Sequence, residues 1–566
     1  MEDILHPSSQ SGRPQTSGGV GRPFADIVLM RAVVYTADRR QPWAEAVVVK
    51  DGKIVYVGSS DGAATWIGPK TEVFELTGKT VLPGFRDAHI HPLAGSFNLL
   101  ECRLTGPVDR SAYLARIAAY AEANKDQSFI RGGGWLSDAF PPGGPTRQEL
   151  DAVVADRPVF LKSMDGHSAW VNTLALQAAG IDRNTPDPPG GLIERAATTG
   201  DAAGTLREWA AMALVESRLP PPTPKDLSIA GWAFMQMAAR LGVVSVHEAM
   251  AKREELAAYR EFDVKNELTL RVQAALLCEP EKGMAQVDDL KAMRREYQGH
   301  LLLPRTVKIF LDGVVEGHTA WLLAPYADRP GFCGERLWDP DVLTPMVAAL
   351  AEADFQLHFH AVGDGACRMA LDACAGIKDR SDARPMIAHC DLIDPEDIPR
   401  FRSCGAIANF QPAWFYQEKN FAQTTLPFLG ADRAGRLYLM NTLIKTGAVV
   451  ACGSDWPFSG ELNTFNPLDA IQVSVTRRGL DADAAPAYTP EEGVELAALI
   501  DSHTIHSAFA DFQEHLTGSL TVGKSADLIV LDRNLFAIPP AEISRTRVLL
   551  TIFEGRPVFR DPALAG

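Results

Sequence analysis

Short apolar runs alternate along most of the chain with longer stretches of helical period, a pattern typical of parallel β/α units. Eight parallel strands with intervening helices predict a closed (β/α)8 barrel of the TIM type, an α/β fold whose active site lies at the carboxyl ends of its strands. The eight apolar runs that we interpret as these strands are residues 80–90, 243–248, 268–277, 306–313, 355–364, 385–390, 405–411 and 448–455.

Both ends of the chain alternate apolar and polar positions in the manner of antiparallel strands. Near the beginning, Asp51-Gly52 separates two alternating runs and predicts a tight hairpin. Residues 525–534 and 547–561 have the same texture, with Glu554-Gly555 where a turn is needed. Neither piece is large enough to close a core alone, so we expect both to pair in one small β-sandwich domain.

The segments between these patterns fix the predicted domain boundaries. The first residues are rich in Ser, Gly, Pro and Gln without an apolar period, which predicts a flexible tail. Two further apolar runs fall between the first and second barrel strands and indicate an insertion over the barrel mouth. The predicted parts are a tail at 1–23, a composite β domain at 24–80 and 515–566, and a barrel at 81–514 with the insertion at about 95–235.

Composition narrows the class of protein. The 566 residues carry 55 Lys and Arg against 71 Asp and Glu, a net charge of −16, and no dense basic run, which excludes a nucleic-acid reader. The chain lacks an apolar run long enough to span a membrane and lacks a secretory signal, so we expect a cytoplasmic protein without membrane contact. Its eight scattered cysteines indicate reduced, mostly buried thiols.

Histidines cluster at the carboxyl ends of the predicted strands. In DAHIH, His89 and His91 are two residues apart, so a strand places both rings on one face, here the barrel interior. Alone, such a pair is also typical of surface or core histidines. His360 and His389 end the fifth and sixth strands, and Asp455 ends the last. Their convergence predicts a metal site.

Imidazole and carboxylate ligands together suit a divalent ion, with Zn²⁺ the first candidate, one or two per chain. Such an ion lowers the pKa of a coordinated water to about 7, so the site is that of a hydrolase. Lys308 points into the barrel from the fourth strand. It is interpreted either as a charge partner of Asp312 or Glu316, or as a neutral amine that takes up carbon dioxide and bridges two metals as a carbamate.

Five motifs carry a family resemblance: LPGFRDAHIHP, KIFLDGVVEGHTAWLLAPY, HAVGDGA, GSDWP and GSLTVGKSADLIVLD. Over about residues 27–560 the chain resembles the amidohydrolase superfamily, in particular its YtcJ-like branch (amidohydrolase family 3), which contains the N-substituted formamide deformylases. The resemblance implies that His89 and His91 bind one metal and that carboxylated Lys308 bridges to a second. It further implies that His360 and His389 hold this second ion, and that Asp455 binds a metal and takes the proton of the attacking water.

Residues around this ligand set are candidates for substrate contact. His318, in the loop after the fourth strand, is predicted either to polarise the scissile carbonyl as a catalytic group or to be a solvated loop residue. His247 and His358 are interpreted either as site residues or as hydrogen-bonded core histidines. The remaining candidates for a substrate pocket, which could equally fill a core, are Trp135, Asp165, His167 and Trp414.

The predicted function is hydrolysis of a carbon–nitrogen amide bond, of N-acyl or N-formyl type, in a small organic substrate by metal-activated water. The same site could act on an ester, lactone or carbamate, and a catalytically silent binding or regulatory protein is the third alternative. The expected partner is a small molecule, with neither nucleic acid nor membrane. The sequence leaves open whether the chain forms a homo-oligomer.

Overall fold

The structure, a computed structural model, describes residues 24–564 except 106–108, 142, 165, 167, 189–190, 379–381, 420 and 482–485. The predicted tail at 1–23 therefore lies outside the described residues. The chain forms two compact units, one of Met1–His91 with Met235–Gly566 and one of Pro92–Phe234. The predicted domain boundaries, including the insertion at about 95–235, stay predictions.

The first unit contains an eight-stranded parallel sheet that wraps into a (β/α)8 barrel, as predicted. Past its last strand, the backbone N–H of Asp455 donates to the carbonyl of His89 at 2.7 Å, and that of His91 donates to Trp456 at 2.9 Å. The first and last strands therefore meet. In chain order the strands are Phe85–Ile90, Val243–Ala251, Arg271–Cys278, Leu302–Phe310, Gln356–Ala361, Met386–His389, Ile407–Phe410 and Val450–Cys452.

The predicted first strand at 80–90 is two strands in two different sheets. Thr80–Pro83 pairs with strands from both chain ends, and only Phe85–Ile90 belongs to the barrel. The chain changes sheets at Gly84, whose N–H donates to the carbonyl of Asp527 at 3.0 Å. The prediction of one strand was wrong because both halves are buried, so the apolar run continues through the change of partner.

Both chain ends build one β-sandwich, also as predicted. Its two sheets bury a common apolar core that includes Val47 of one sheet and Leu528 and Ile552 of the other. The four-stranded sheet has the order Lys53–Gly58, Ala46–Lys50, Ile27–Met30, Glu72–Glu75, and the six-stranded sheet the order Arg556–Arg560, Val548–Phe553, Leu528–Leu531, Thr80–Pro83, Val33–Tyr35, Trp43–Ala44.

The predicted hairpin turn is present between Ala46–Lys50 and Lys53–Gly58. Asp51 and Gly52 both have positive φ, 49° and 75°, as a two-residue turn with the right-handed twist of its strands requires. Glycine at the second position and aspartate at the first are the residues that accept this conformation at least cost.

The second unit has its own six-stranded sheet, and its buried strands explain the two additional apolar runs. The sheet order is Leu192–Arg195, Ala202–Arg207, Ser168–Val171, Val159–Ser163, Ile130–Trp135, Cys102–Arg103. The helices of this unit are Pro92–Leu100, Arg110–Ala123, Arg147–Asp151, Thr173–Ala178 and Glu208–Glu216, and Pro224–Arg240 contains the boundary between the units.

Helices of the first unit follow the barrel strands or the β-sandwich strands. They are Ser60–Ala64, Arg253–Val264, Gln286–Tyr297, Pro340–Glu352, Asp364–Ile377, Ile398–Cys404, Thr425–Leu429, Ala431–Ala434, Met440–Thr446, Pro467–Thr476, Leu496–Ser502 and Ile505–Ala510. Among the described residues, no helix has the length and apolarity needed to cross a bilayer. All eight cysteines are free thiols, and seven are buried.

Candidate active site

The six predicted metal ligands all lie at one end of the barrel. The carboxyl ends of parallel strands meet there, so residues far apart in the chain become neighbours. None of the six is more than 8% exposed. They are His89 and His91 on and just after the first strand, Lys308, His360 and His389 on the fourth, fifth and sixth, and Asp455 after the eighth.

His89, His91 and Asp455 form the tightest group. Nε2 of His91 lies 3.2 Å from Oδ1 of Asp455, and Nε2 of His89 lies 3.4 Å from the same oxygen. One nitrogen or oxygen from each of the three side chains lies within 4.8 Å of the others. Two imidazole nitrogens and one carboxylate oxygen at this spacing are a donor set that fits a divalent metal ion.

The backbone positions the carboxylate of Asp455. Its φ is +55°, in the left-handed region that non-glycine residues seldom adopt, and His389 is similar at +74°. Such conformations cost about 1–3 kcal/mol each and concentrate at functional sites. Burial alone would raise the pKa of Asp455, but the hydrogen bond from His91 and the nearby cationic groups hold it below its ordinary value. Asp455 is therefore a carboxylate.

His360 and His389 are oriented by hydrogen bonds on their far side. Nδ1 of His360 lies 3.2 Å from Oδ1 of Asp312, and Nδ1 of His389 lies 2.9 Å from Oε1 of Gln411. Because an amide oxygen only accepts, Nδ1 of His389 carries the proton and its lone pair is on Nε2. The ring centroids of these two histidines are 4.4 Å apart, and that of His89 is 4.9 Å from His389.

Lys308 reaches the centre of this group. Its Nζ lies 3.5 Å from Nε2 of His89 and 4.9 Å from the ring centroid of Phe310. Burial lowers the pKa of the Lys308 ammonium to about 7, an effect that the charge of Asp455 opposes. Asp312, one of its two predicted charge partners, instead accepts from the backbone N–H groups of Trp321, Val362 and Gly363.

Comparisons with known proteins agree with this geometry. The sequence model of the Amidohydrolase family matches residues 72–559. The chain belongs to this family. It is 29% identical to the putative amidohydrolase YtcJ of Bacillus subtilis over 93% of this chain and 98% of that protein. It is 25% identical to the N-substituted formamide deformylase of Arthrobacter pascens over 94% and 97% of the two chains.

A solved structure supports the fold. The crystal structure of an uncharacterized metal-dependent hydrolase from Pyrococcus furiosus superposes with a TM-score of 0.71 at 24% identity, covering 90% of this chain and 99% of that one. The predicted resemblance to the YtcJ-like branch is therefore confirmed. Membership of the amidohydrolase family, with these relatives, supports a hydrolytic role for the protein.

Trp414 contacts a candidate ligand of the amidohydrolase, whereas the contacts of His318 are with other residues. The Trp414 ring stacks on His389, with centroids 5.6 Å apart and planes 11° from parallel, so it forms a wall beside this ligand candidate. Nε2 of His318 lies 2.9 Å from Oδ2 of Asp328, and its ring packs on Phe428 with a centroid separation of 4.0 Å. Catalysis by His318 and substrate contact by Trp414 stay predictions.

The other predicted pocket residues have different surroundings. Trp135 is buried in the core of the second unit, and its indole N–H donates to the carbonyl of Leu161 at 2.8 Å. Asp165 and His167 lie outside the described residues. His247 is fully buried, with its Nδ1 2.9 Å from Oδ1 of Asp511. Substrate contact by any of these four stays a prediction.

Sequence reasoning missed three residues that contact the candidate ligands or the buried His247. Gln411 follows the seventh strand, Asp511 follows a helix, and Glu248 lies near the end of the second strand with its Oε1 3.4 Å from Nδ1 of His91. The sequence offered one signal for Glu248 and Gln411, which is their position near the carboxyl ends of predicted strands, where the ligands also lie. Nothing in the local sequence marks Asp511.

Proposed function

We propose that this amidohydrolase cleaves a carbon–nitrogen amide bond of N-acyl or N-formyl type in a small organic substrate, with a divalent metal held by the histidine and aspartate cluster. The observation that carries the proposal is the approach of ligand atoms of His89, His91 and Asp455 to within 4.8 Å of one another. The ring centroid of His389 lies 4.9 Å from that of His89 and 4.4 Å from that of His360. The name of the Arthrobacter pascens relative, an N-substituted formamide deformylase, supports the choice of bond.

The proposed ligands of one metal are His89, His91 and Asp455. His360 and His389 would hold a second ion, and carboxylated Lys308 would be shared by both. When bound, such an ion, preferably Zn²⁺, supplies Lewis acidity for the scissile carbonyl and for the attacking water. Asp312 and Gln411 keep Nδ1 of His360 and His389 occupied, which directs Nε2 of both rings toward the site. Glu248 supports His91 in the same way.

Asp455 is proposed as the proton-transfer group. Its pKa lies below its ordinary value, so it is ionised at neutral pH and can take the proton of the attacking water. As the amide bond breaks, the same carboxyl group is placed to return that proton to the leaving amine. The left-handed backbone at Asp455 keeps the carboxylate fixed between His89 and His91.

Lys308 is proposed to react with carbon dioxide. With a pKa of about 7, part of its amine is neutral at physiological pH, and only the neutral amine attacks carbon dioxide. A new N–C bond forms, one proton leaves to solvent, and the resulting carbamate carries one negative charge. Burying this negative charge would cost free energy, and two metal cations beside it would offset that cost.

The test is a substrate panel with paired variants. We expect hydrolysis of N-substituted formamides or other simple N-acyl amines, and loss of turnover by several orders of magnitude in Asp455→Asn. Asp501→Asn is the matched control, because Asp501 is a half-buried carboxylate that accepts from the Tyr35 hydroxyl at 2.8 Å, outside the ligand cluster. Turnover of esters or lactones alone would contradict the bond assignment, and normal turnover in Asp455→Asn would contradict the mechanism.

A further inference from the structure

Three buried histidines and one aspartate form a line that ends at the ligand cluster. We infer that Asp511, His247 and His358 are a positioning relay, which fixes the ring tautomer of His89 so that its Nε2 lone pair faces the metal site. The inference rests on the proposed function in taking His89 as a metal ligand. His247 and His358 are fully buried, so neither is available to solvent.

Asp511 decides which nitrogen of His247 carries the proton. Arg86 donates to Oδ2 of Asp511 at 2.6 Å and to Gln513 at 3.0 Å, and Nδ1 of His247 lies 2.9 Å from Oδ1. Burial raises the pKa of Asp511, but the hydrogen bond from His247 and the charge of Arg86 bring it below its ordinary value. A carboxylate only accepts, so Nδ1 of His247 carries the proton.

The middle contact joins His247 to His358. Among the described residues, Nε2 of His247 and Nδ1 of His358 are buried without a hydrogen-bond partner. The two ring centroids are 5.1 Å apart at 83°, nearly the geometry of the His89 and His358 pair, 4.8 Å at 84°, whose nitrogens lie 3.0 Å apart. In the inferred relay, Nδ1–H of His358 donates to Nε2 of His247, which gives both of these buried nitrogens a partner.

The last contact reaches the ligand. With its proton on Nδ1, His358 accepts from Nδ1–H of His89 at Nε2, and the lone pair of His89 is left on Nε2. That atom lies 3.4 Å from Asp455 and 3.5 Å from Lys308. Metal-bound histidines usually donate their second N–H directly to a carboxylate or carbonyl. In this protein the rings of His358 and His247 lie between His89 and the carboxylate of Asp511.

Ring-nitrogen NMR of the full-length, metal-free protein with ¹⁵N-labelled histidine tests the relay directly. We expect the proton on Nδ1 in His89, His247 and His358, each signal being assigned from its loss in a single-site variant. A proton on Nε2 of His89 or His358 would overturn the inference. The measurement reads the ring protons of the unmodified protein and needs no metal.

Zinc affinity, measured by competition with a chromophoric chelator, gives the second readout. His358→Leu removes the acceptor for His89 and should weaken zinc binding about 10–100-fold, while His358→Gln supplies an amide oxygen and should restore most of it. His506→Gln is the control, since its Nδ1 meets the carbonyl of Val450 at 3.2 Å outside the relay. Equal losses in both His358 variants would overturn the relay, whereas absence of zinc binding in the unmodified protein would overturn the proposed function instead.

Discussion

The carboxylate of Asp455 lies 3.2 Å from Nε2 of His91, although these residues follow the last and the first strands of the barrel. Closure of the sheet makes this contact, because Asp455 donates its backbone N–H to His89 and His91 donates to Trp456. The ligand cluster and the closure of the barrel are therefore one structural feature. Changes at the seam between these strands should affect both.

Gly453 lies in that seam. A Cβ atom there would come 2.4 Å from the backbone nitrogen of His89, so either strand must shift to accept one. We expect Gly453→Ala to lower the free energy of unfolding by about 1–3 kcal/mol and to reduce metal binding. Gly376→Ala, in helix Asp364–Ile377, is the control. A Cβ atom there would have no described atom within 4 Å outside its own helix, so this variant should be neutral or slightly stabilising. Equal melting temperatures for the two variants would refute this account of the seam.

Lys308 should give the metal-free protein a characteristic pH dependence. Its pKa falls from 10.5 to about 7 on burial, so between these values the unfolded chain binds more protons and the free energy of unfolding rises with pH. Lys308→Met lacks this dependence and should be more stable than the unmodified protein, most clearly at and below about pH 7. Urea unfolding of both proteins, after removal of metal and across this window, measures the difference. A stability difference that is constant with pH would contradict the assigned shift.

The ion pair of Arg86 with Asp511 should be important for stability. The two side chains are almost fully buried and 2.6 Å apart, so removing one leaves an uncompensated charge. We expect Asp511→Ala to lower the free energy of unfolding by about 3–5 kcal/mol. Glu296→Ala breaks a pair with Arg253 that is half exposed and should cost no more than about 1 kcal/mol. Comparable unfolding midpoints would show that Asp511 is not structurally important.

The fold could be predicted from the sequence because buried parallel strands are continuous apolar runs. All eight barrel strands were predicted in the correct order. The ends of the first and last strands bring His89 and Asp455 to within 3.4 Å of each other, while the roles of these residues stay predictions. The change of sheet at Gly84 could not be predicted, since burial continues on both sides of it. Hydrophobic periodicity records burial and not the partner strand.

The hydrogen-bond partners of the site histidines could not be predicted because they depend on contacts between distant segments. Asp511, just after helix Ile505–Ala510, contacts His247, and Gln411, just after the seventh strand, contacts His389. Trp135 lies in glycine-rich sequence that suggested either a pocket wall or a core residue, and the structure places its ring in an apolar core. Its contact with substrate stays a prediction. Residue type and position at a strand end indicate a site, but orientation within it follows only from packing.

The metal content of the purified protein tests the central claim most directly. Plasma mass spectrometry on protein prepared without added ions or chelators should find one to two equivalents of a divalent metal, with two expected if carboxylated Lys308 bridges the ions. His91→Gln should retain far less metal while keeping the native circular dichroism spectrum, because one of the three clustered ligands is weakened. Full occupancy in His91→Gln, or no metal in the unmodified protein even after addition of Zn²⁺ and bicarbonate, would contradict the account.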